Sequence, residues 1–109
     1  MAVTHLKNLK EITLAEGVTA RVMHTENITV AHVRLKAGAE VPEHSHHHEQ
    51  ISNLIEGELE LLVDGQSNVL TPGTAIVLPS QVPHAAVARK DCYVIDVFNP
   101  AREDLRALE

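Results

Sequence analysis

The residue types best suited to chemistry lie between positions 38 and 57, in the stretch GAEVPEHSHHHEQISNLIEG. His44 and His46 are two positions apart, so on an extended chain both side chains leave the same face. Gln50 has the same parity and is a candidate to join them. Imidazole is the commonest metal ligand in proteins, and two rings on one face can share one ion. The stretch therefore predicts the first half of a metal site.

Two further histidines in this run are harder to assign. His47 has the opposite parity, so we expect it to be exposed. His48 has the parity of His46, and it either lines the mouth of the site or serves as a ligand itself. The alternative for the whole run is a solvated polar loop without a metal.

Composition limits the classes of function. A chain of 109 residues predicts one domain, residues 1–109, large enough to bury about 65 % of its unfolded surface. Its net charge of −6 and its two aromatics, Tyr93 and Phe98, argue against nucleic acid as a partner. Such a surface repels anions, so an anionic substrate requires a local positive centre.

The single cysteine, Cys92, excludes an intrachain disulfide, and its apolar neighbours predict a buried, inert thiol. The first residues contain no apolar region of the kind found in signal peptides, and no apolar run approaches the roughly 18 residues of a membrane span. We therefore expect a cytoplasmic protein without a membrane partner.

Short β-rich segments separated by turn residues are typical of an all-β sandwich or barrel, and strands that avoid open edges favour a closed barrel or jelly roll. Asp64-Gly65 predicts a hairpin turn. Segment 74–78 reads as a buried apolar strand, and the spacing of Leu105 and Leu108 predicts a short C-terminal helix over 101–108. The predicted strands are 12–14, 18–24, 28–35, one near 41, 51–55, 58–63, 66–70, 74–78, 84–88 and 92–98.

Two stretches of the chain resemble the paired motifs of the cupin family. The first covers 38–57, and its matching residues are Gly38, His44, His46, Gln50 and Gly57. The second covers 73–88, and its matching residues are Gly73, Pro79 and His84. The chain departs from the family where Gln50 replaces a usual Glu, Gln81 a usual Gly, and Ala88 a usual Asn. The resemblance implies a single-domain cupin jelly-roll β-barrel.

This resemblance also implies that His44, His46, His84 and Gln50 bind a divalent transition metal. Three neutral nitrogens and one oxygen suit Zn, Ni, Fe, Co, Mn or Cu, and the ligand types do not choose among them. A neutral amide in place of Glu leaves the full 2+ charge on the ion, which makes a stronger Lewis acid toward an anionic ligand.

A second resemblance, to the KdgF family of small pectin-degradation cupins, rests on HSHHHEQI, GELELLVDG and DVFNPAREDL. The family's functional Asp, Phe and Arg at the barrel mouth match Asp96, Phe98 and Arg102. The alternatives are an ordinary strand polar residue for Asp96, core packing for Phe98 and a helix-surface charge for Arg102.

The KdgF resemblance implies a small anionic sugar acid as substrate: a 4,5-unsaturated monouronate from pectin or alginate breakdown, opened to a linear ketonised product. Asp96 would move a proton, Arg102 would clamp the carboxylate, and Phe98 would pack on the sugar and exclude water. The alternatives are a different metal-dependent cupin enzyme (dioxygenase, isomerase or decarboxylase) and a non-catalytic cupin that binds a small molecule. The resemblance also implies a homodimer formed by strand pairing.

Overall fold

Residues 2–109 are described by a computed structural model, in which they form ten β-strands, a 3-10 turn at Leu6–Asn8 and a short helix. This content confirms the all-β prediction, and segments 18–24, 66–70 and 84–88 agree with the observed strands to the residue. The elements are β1 (Ile12–Ala15), β2 (Val18–His24), β3 (Thr29–Leu35), β4 (Glu40–His44), β5 (Glu49–Glu56), β6 (Leu59–Val63), β7 (Gln66–Leu70), β8 (Ala75–Leu78), β9 (His84–Ala88), β10 (Cys92–Asn99) and α1 (Glu103–Arg106).

Within the described residues, the strands form two antiparallel sheets. The larger has six strands in the order β1-β2-β3-β10-β5-β8, and the smaller has four in the order β4-β9-β6-β7. Neighbouring strands in each sheet are often distant in the chain, as β10 is from both β3 and β5. This order is that of the predicted jelly roll.

The core lies between the two sheets because most strands alternate buried with more exposed side chains, as β2, β3 and β5 do. Leu54 of β5 and Val18 of β2 come from the larger sheet, and Leu59 and Leu61 of β6 come from the smaller one. On the inward face of β10, the apolar residue Val94 is followed along the strand by residues whose partners on β5 are polar. The apolar core therefore gives way to polar side chains toward one end of the barrel.

Two sequence predictions need correction. Strand β8 is buried on one face only, because it is the edge strand of the larger sheet: Leu78 is fully buried, whereas the outward Val77 is 63 % exposed. The helix is shorter than 101–108 and covers only Glu103–Arg106, since Arg102 still has a non-helical backbone (φ −84, ψ 87). Leu105 is buried as expected of the apolar side, whereas Leu108 is exposed.

Two smaller predictions are confirmed. Asp64 and Gly65 both have positive φ, 50° and 79°, as the predicted tight hairpin between β6 and β7 requires. Cys92 is a buried free thiol, and burial raises its pKa. None of the helices among residues 2–109 is long and apolar enough to cross a membrane.

Candidate metal centre and catalytic cavity

The pairing of β4 with β9 brings together histidines that are far apart in the sequence. His44 ends β4 and His84 begins β9, and they are direct partners in the antiparallel register. Their ring centroids are 4.2 Å apart, and His46, in the loop after β4, lies 5.0 Å from His84. One nitrogen from each of the three rings lies within 4.8 Å of the other two, which is a group able to hold a metal ion.

Backbone carbonyls orient all three rings in the same way. The Nδ1 atoms of His44, His46 and His84 lie 3.0, 3.0 and 2.9 Å from the carbonyl oxygens of Pro42, His48 and Val82. With Nδ1–H donating to a carbonyl, each Nε2 keeps its lone pair, as in histidines that bind metals. The Nε2 of His84 is buried and has no hydrogen-bond partner in the described chain.

The electrostatics keep the buried rings neutral. The pKa of His46 is lowered to about 4, chiefly by burial and also by the positive charges of Arg102 and His84. Burial also lowers the pKa of His84, against a hydrogen bond to the Val82 carbonyl. A neutral imidazole is the form that binds a metal, so no proton has to be displaced from these two rings at pH 7.

Gln50 of β5 is buried beside the histidines. Its Oε1 lies 3.1 Å from Nε2 of His46, while its Nε2 donates to the Ser52 hydroxyl at 2.9 Å. With Nδ1 of His46 as the donor to His48, Nε2 of His46 and Oε1 of Gln50 are two acceptors that face each other. A cation bound to both relieves this arrangement, so the residues present fit a divalent metal with His44, His46, His84 and Gln50 as ligands.

The remaining histidines of the run lie outside this cluster. His47 is exposed, as expected. His48 is 7 % exposed, and it packs against His47 with ring centroids 3.9 Å apart. It lines a separate surface depression with Glu26 and Ala101, away from the cavity at the three-histidine cluster. His48 is therefore not one of the three histidines whose nitrogens converge, although its ring centroid lies 5.4 Å from that of His46.

Strand β10 presents Asp96 to the same interior. Its direct partner on β5 is Ser52, and Asp96 Oδ1 is buried without a hydrogen-bond partner in the described chain. Burial raises the pKa of Asp96 to about 6, while hydrogen bonding to Ser52 and Gln50 and the charge of Arg102 act in the opposite direction. An acid with a pKa near neutrality can both accept and donate a proton, which an ordinary surface aspartate does poorly.

Phe98 is the next inward residue on β10, and it contacts both the histidine cluster and Arg102. It is the direct partner of Gln50 on β5. Its ring meets His46 edge-on, with centroids 5.9 Å apart, and the guanidinium carbon of Arg102 lies 4.7 Å from the ring centroid. Phe98 is buried, so it belongs to the core and to the wall of the cavity at once.

Arg102 follows the bend after β10 and folds back toward the mouth. Its backbone N–H donates to the Thr29 hydroxyl at 2.7 Å. Its side chain is only 13 % exposed, which does not suit a helix-surface charge. The Nε and NH2 groups already donate to the Asp104 carboxylate at 2.9 and 2.7 Å, so a carboxylate clamp would have to use the other edge of the guanidinium.

One cavity of about 610 Å³ is lined by His44, Gln50, His84, Asp96, Phe98 and Arg102. Its mouth is polar, and its deeper wall is formed by small and branched apolar side chains such as Ala31, Val33 and Leu61. The other polar residues of its lining are Thr13, Glu43 and Ser52.

Sequence reasoning missed three residues of this site. Ser52, buried beside Asp96, has the parity of Gln50 and follows it by two positions on β5, which was a usable signal. Thr29 and Asp104 hold Arg102, but nothing in their spacing points to that contact.

Comparison with known proteins agrees with this architecture. The cupin domain family matches residues 31–98. The pectin degradation protein KdgF of Dickeya dadantii (strain 3937) is 27 % identical over 94 residues, which are 84 % of this chain and 86 % of that protein. The solved structure of KdgF from Halomonas sp. has a TM-score of 0.89 at 30 % identity, covering 96 % of this chain and 98 % of that chain.

A second solved structure, an RmlC-like cupin from Shewanella frigidimarina NCIMB 400, has a TM-score of 0.88 at 31 % identity and covers 94 % of this chain and 93 % of that one. The salicylate 1,2-dioxygenase of Pseudoaminobacter salicylatoxidans, at 22 % identity and a TM-score of 0.78, shares the fold alone. By sequence, fold and the geometry of its histidine cluster, the chain belongs to the cupin family and is similar to KdgF proteins over nearly its whole length.

Proposed function

We propose that this protein is a metal-dependent enzyme that opens 4,5-unsaturated monouronates, the fragments left by pectin or alginate breakdown, to linear ketonised sugar acids. The observation that carries the proposal is that Asp96, Phe98 and Arg102 line one cavity with His44 and His84 of the three-histidine cluster. The similarity to proteins named for pectin degradation supports the same substrate class.

The cation would be held by His44, His46, His84 and Gln50. When bound, a divalent cation supplies Lewis-acid stabilisation of negative charge on the carboxylate and enolate oxygens of the substrate. The chain as a whole is acidic, with a net charge of −6, so Arg102 is the chain's own positive group at the cavity. The two positive centres would draw in an anion that the rest of the surface repels.

In the proposed reaction, Asp96 moves the proton. The ring oxygen of the substrate is attached to the C4–C5 double bond, so the ring is an enol ether. Asp96 takes the proton from the C1 hydroxyl, C1 becomes an aldehyde, and the C1–O5 bond breaks with its electron pair on O5. The resulting C5 enolate accepts a proton at C4, and the product is a C5 ketone that has the same atoms as the substrate. A raised pKa lets Asp96 perform both transfers.

Phe98 and Arg102 would bind and orient the sugar. Phe98 offers a flat apolar surface and keeps water away from the enolate, which would otherwise be protonated without control. Arg102 would donate to the substrate carboxylate through the guanidinium edge that Asp104 leaves open.

The direct test is to incubate metal-loaded protein with an unsaturated monouronate and to follow the ultraviolet absorbance of the conjugated double bond. We expect the absorbance to fall faster than in buffer, and a rate equal to that in buffer would overturn the proposal. Oxygen uptake with bound iron would instead favour a cupin dioxygenase.

The matched variant is Asp96→Asn, which keeps the volume and removes the proton-transfer function. We expect it to fold and to retain metal, because it replaces a carboxylate whose burial is unfavourable. Its rate should fall by about 10²-fold or more, the usual contribution of a general acid–base. Loss of metal together with the rate would make Asp96 a structural residue.

A further inference from the structure

Arg102 is held by three contacts that come from different parts of the fold. Its backbone N–H is fixed by the hydroxyl of Thr29, a fully buried residue at the start of β3. Its guanidinium lies over the Phe98 ring, and its Nε and NH2 groups donate to both oxygens of Asp104 in α1. Of these contacts, the one with Asp104 is the one that fixes the rotation of the guanidinium plane.

Asp104 and Arg102 are in direct contact but line different spaces. Arg102 lines the large cavity, whereas Asp104 lines the separate depression that also contains His47 and His48. The Asp104 carboxylate therefore contacts the guanidinium of Arg102 from the side of this depression, through the Nε–NH2 edge. The NH1–NH2 edge remains for a group inside the cavity, and it is an edge that can donate two parallel hydrogen bonds to a planar carboxylate.

This pair differs from an ordinary surface ion pair. Exposed pairs contribute little because two mobile side chains must be ordered and water screens the charges. Here the arginine is 13 % exposed although Asp104 is 60 % exposed, and the contact is bidentate. The hydrogen bonds from Arg102 hold the pKa of Asp104 at about 2, so the carboxylate is ionised throughout the neutral range.

We infer that Asp104 is a positioning residue, which orients Arg102 so that its NH1–NH2 edge faces a substrate carboxylate in the cavity. Asp104 does not touch the substrate. The inference rests on the proposed function for the identity of that substrate, but the orientation of Arg102 by Asp104 can be measured without turnover.

The kinetic test compares Asp104→Asn, which has the same shape and no charge, with Glu103→Gln. Glu103 neighbours Asp104 in α1 and pairs with Arg106 rather than Arg102, which makes it a matched control. An interaction that is equally strong in ground and transition states affects KM and not kcat, so we expect Asp104→Asn to raise KM about tenfold with kcat within about twofold. Glu103→Gln should leave both constants unchanged, and Asp104→Glu should recover most of the loss in KM.

The structural test is the order of the Arg102 Nε–H group, measured by nitrogen-15 NMR relaxation and assigned by its loss in Arg102→Lys. The group should be ordered in the wild type and in Glu103→Gln, and mobile in Asp104→Asn. This measurement stands even if the wild type shows no turnover, which would overturn the proposed function alone. If Asp104→Asn does not fold, Asp104→Glu supplies both readouts, with intermediate values expected.

An unchanged Nε–H order in Asp104→Asn would overturn the inference. An unchanged KM in a variant whose arginine has become mobile would overturn it as well, because the orientation of Arg102 would then not matter to the substrate. Equal effects of Asp104→Asn and Glu103→Gln would mean that α1 acts only through its overall charge.

Discussion

The cluster of three ring nitrogens, one each from His44, His46 and His84, was only partly predictable from the sequence. Parity along the chain placed His44 and His46 on one face, but His84 joins them through the register of β4 with β9. That register depends on the folding of the whole sheet, so the resemblance to a family, not the local sequence, identified His84. Thr29, which holds Arg102, has no local signal either.

His84→Ala tests the cluster at the level of one ligand. Removal of a residue that hydrogen-bonds to a metal ligand typically lowers metal affinity by roughly 10–100-fold. Because His84→Ala removes a ligand itself, we expect a larger loss of metal affinity. Competition with a chromogenic chelator for Zn²⁺ or Co²⁺ measures this directly. His47→Ala is the control, because His47 lies in the same run and is exposed. Equal affinity in both variants would remove His84 from the site.

The titration of Asp104 provides a pH prediction. In the folded protein the pKa of Asp104, about 2, lies below the ordinary value of an aspartate, chiefly because Arg102 donates hydrogen bonds to its carboxylate. A lowered acid pKa contributes stability that is present above the unfolded value, near 4, and is lost as the pH falls through the folded value, near 2. Carbon-13 NMR of the carboxyl should give a midpoint near 2 in the wild type and nearer 4 in Arg102→Ala. The same midpoint in both proteins would contradict the contact.

At the scale of the elements, the alternating pattern predicted the strands well because each one buries a single face against the core. For β8 it predicted the strand but overestimated its burial, because an apolar sequence does not reveal that a strand will lie at the edge of a sheet. The length of the short helix was also overestimated, because the spacing of apolar residues does not show where a helix ends. The spacing of Leu105 and Leu108 predicts a helix as far as residue 108, whereas the helix ends at Arg106.

Gly57, between β5 and β6, is required by both its conformation and its surroundings. Its φ is +98°, and a Cβ there would meet the Asp91 carbonyl oxygen and lie 2.8 Å from the Cys92 sulfur. Gly57→Ala should therefore destabilise the fold by several kcal/mol, beyond the roughly 1–2 kcal/mol of left-handed strain alone. Gly65→Ala isolates that strain, since φ is +79° and no atom lies within 4 Å of its Cβ. Urea unfolding should separate the two variants, and equal losses would contradict the steric argument.

Gln81 occupies a left-handed conformation, φ +68°, in the loop before β9. Its backbone N–H donates to the carbonyl of His46 at 2.8 Å, so this strained loop supports the loop that carries a metal ligand. Gln81→Gly should raise the free energy of unfolding by about 0.5–1 kcal/mol, because glycine adopts this φ without strain. Ser80→Gly is the control, since Ser80 is an exposed neighbour without positive φ and should gain nothing. A lower midpoint of urea unfolding in both variants would contradict the prediction.

At the scale of the whole molecule, the outer face of the larger sheet carries an uncharged apolar row. Val77, Ile51, Val97, Val30 and Met23 are successive register partners across β8, β5, β10, β3 and β2. Three of the five are well exposed, and Val77 also lies on an open edge strand. Both features suit contact between copies of a small β-domain.

We expect a homodimer in solution that uses this edge and face. Val77→Lys should shift the mass measured by light scattering from dimer to monomer, because lysine on an edge strand opposes pairing. Val69→Lys is the control, since Val69 is similarly apolar and exposed on the other sheet. A monomeric wild type would make the expectation wrong, and dissociation by both variants would place the contact elsewhere.

The run His44-Ser45-His46-His47-His48 also exists in the unfolded chain, before β4 meets β9. The denatured protein therefore offers several imidazoles to the same ion. Binding to the denatured state subtracts from the stabilisation that native affinity alone would give, so the melting temperature understates the tightness of the folded site. Direct titration of the folded protein with the metal avoids this competition, and it is the measurement that reports the affinity of the native site.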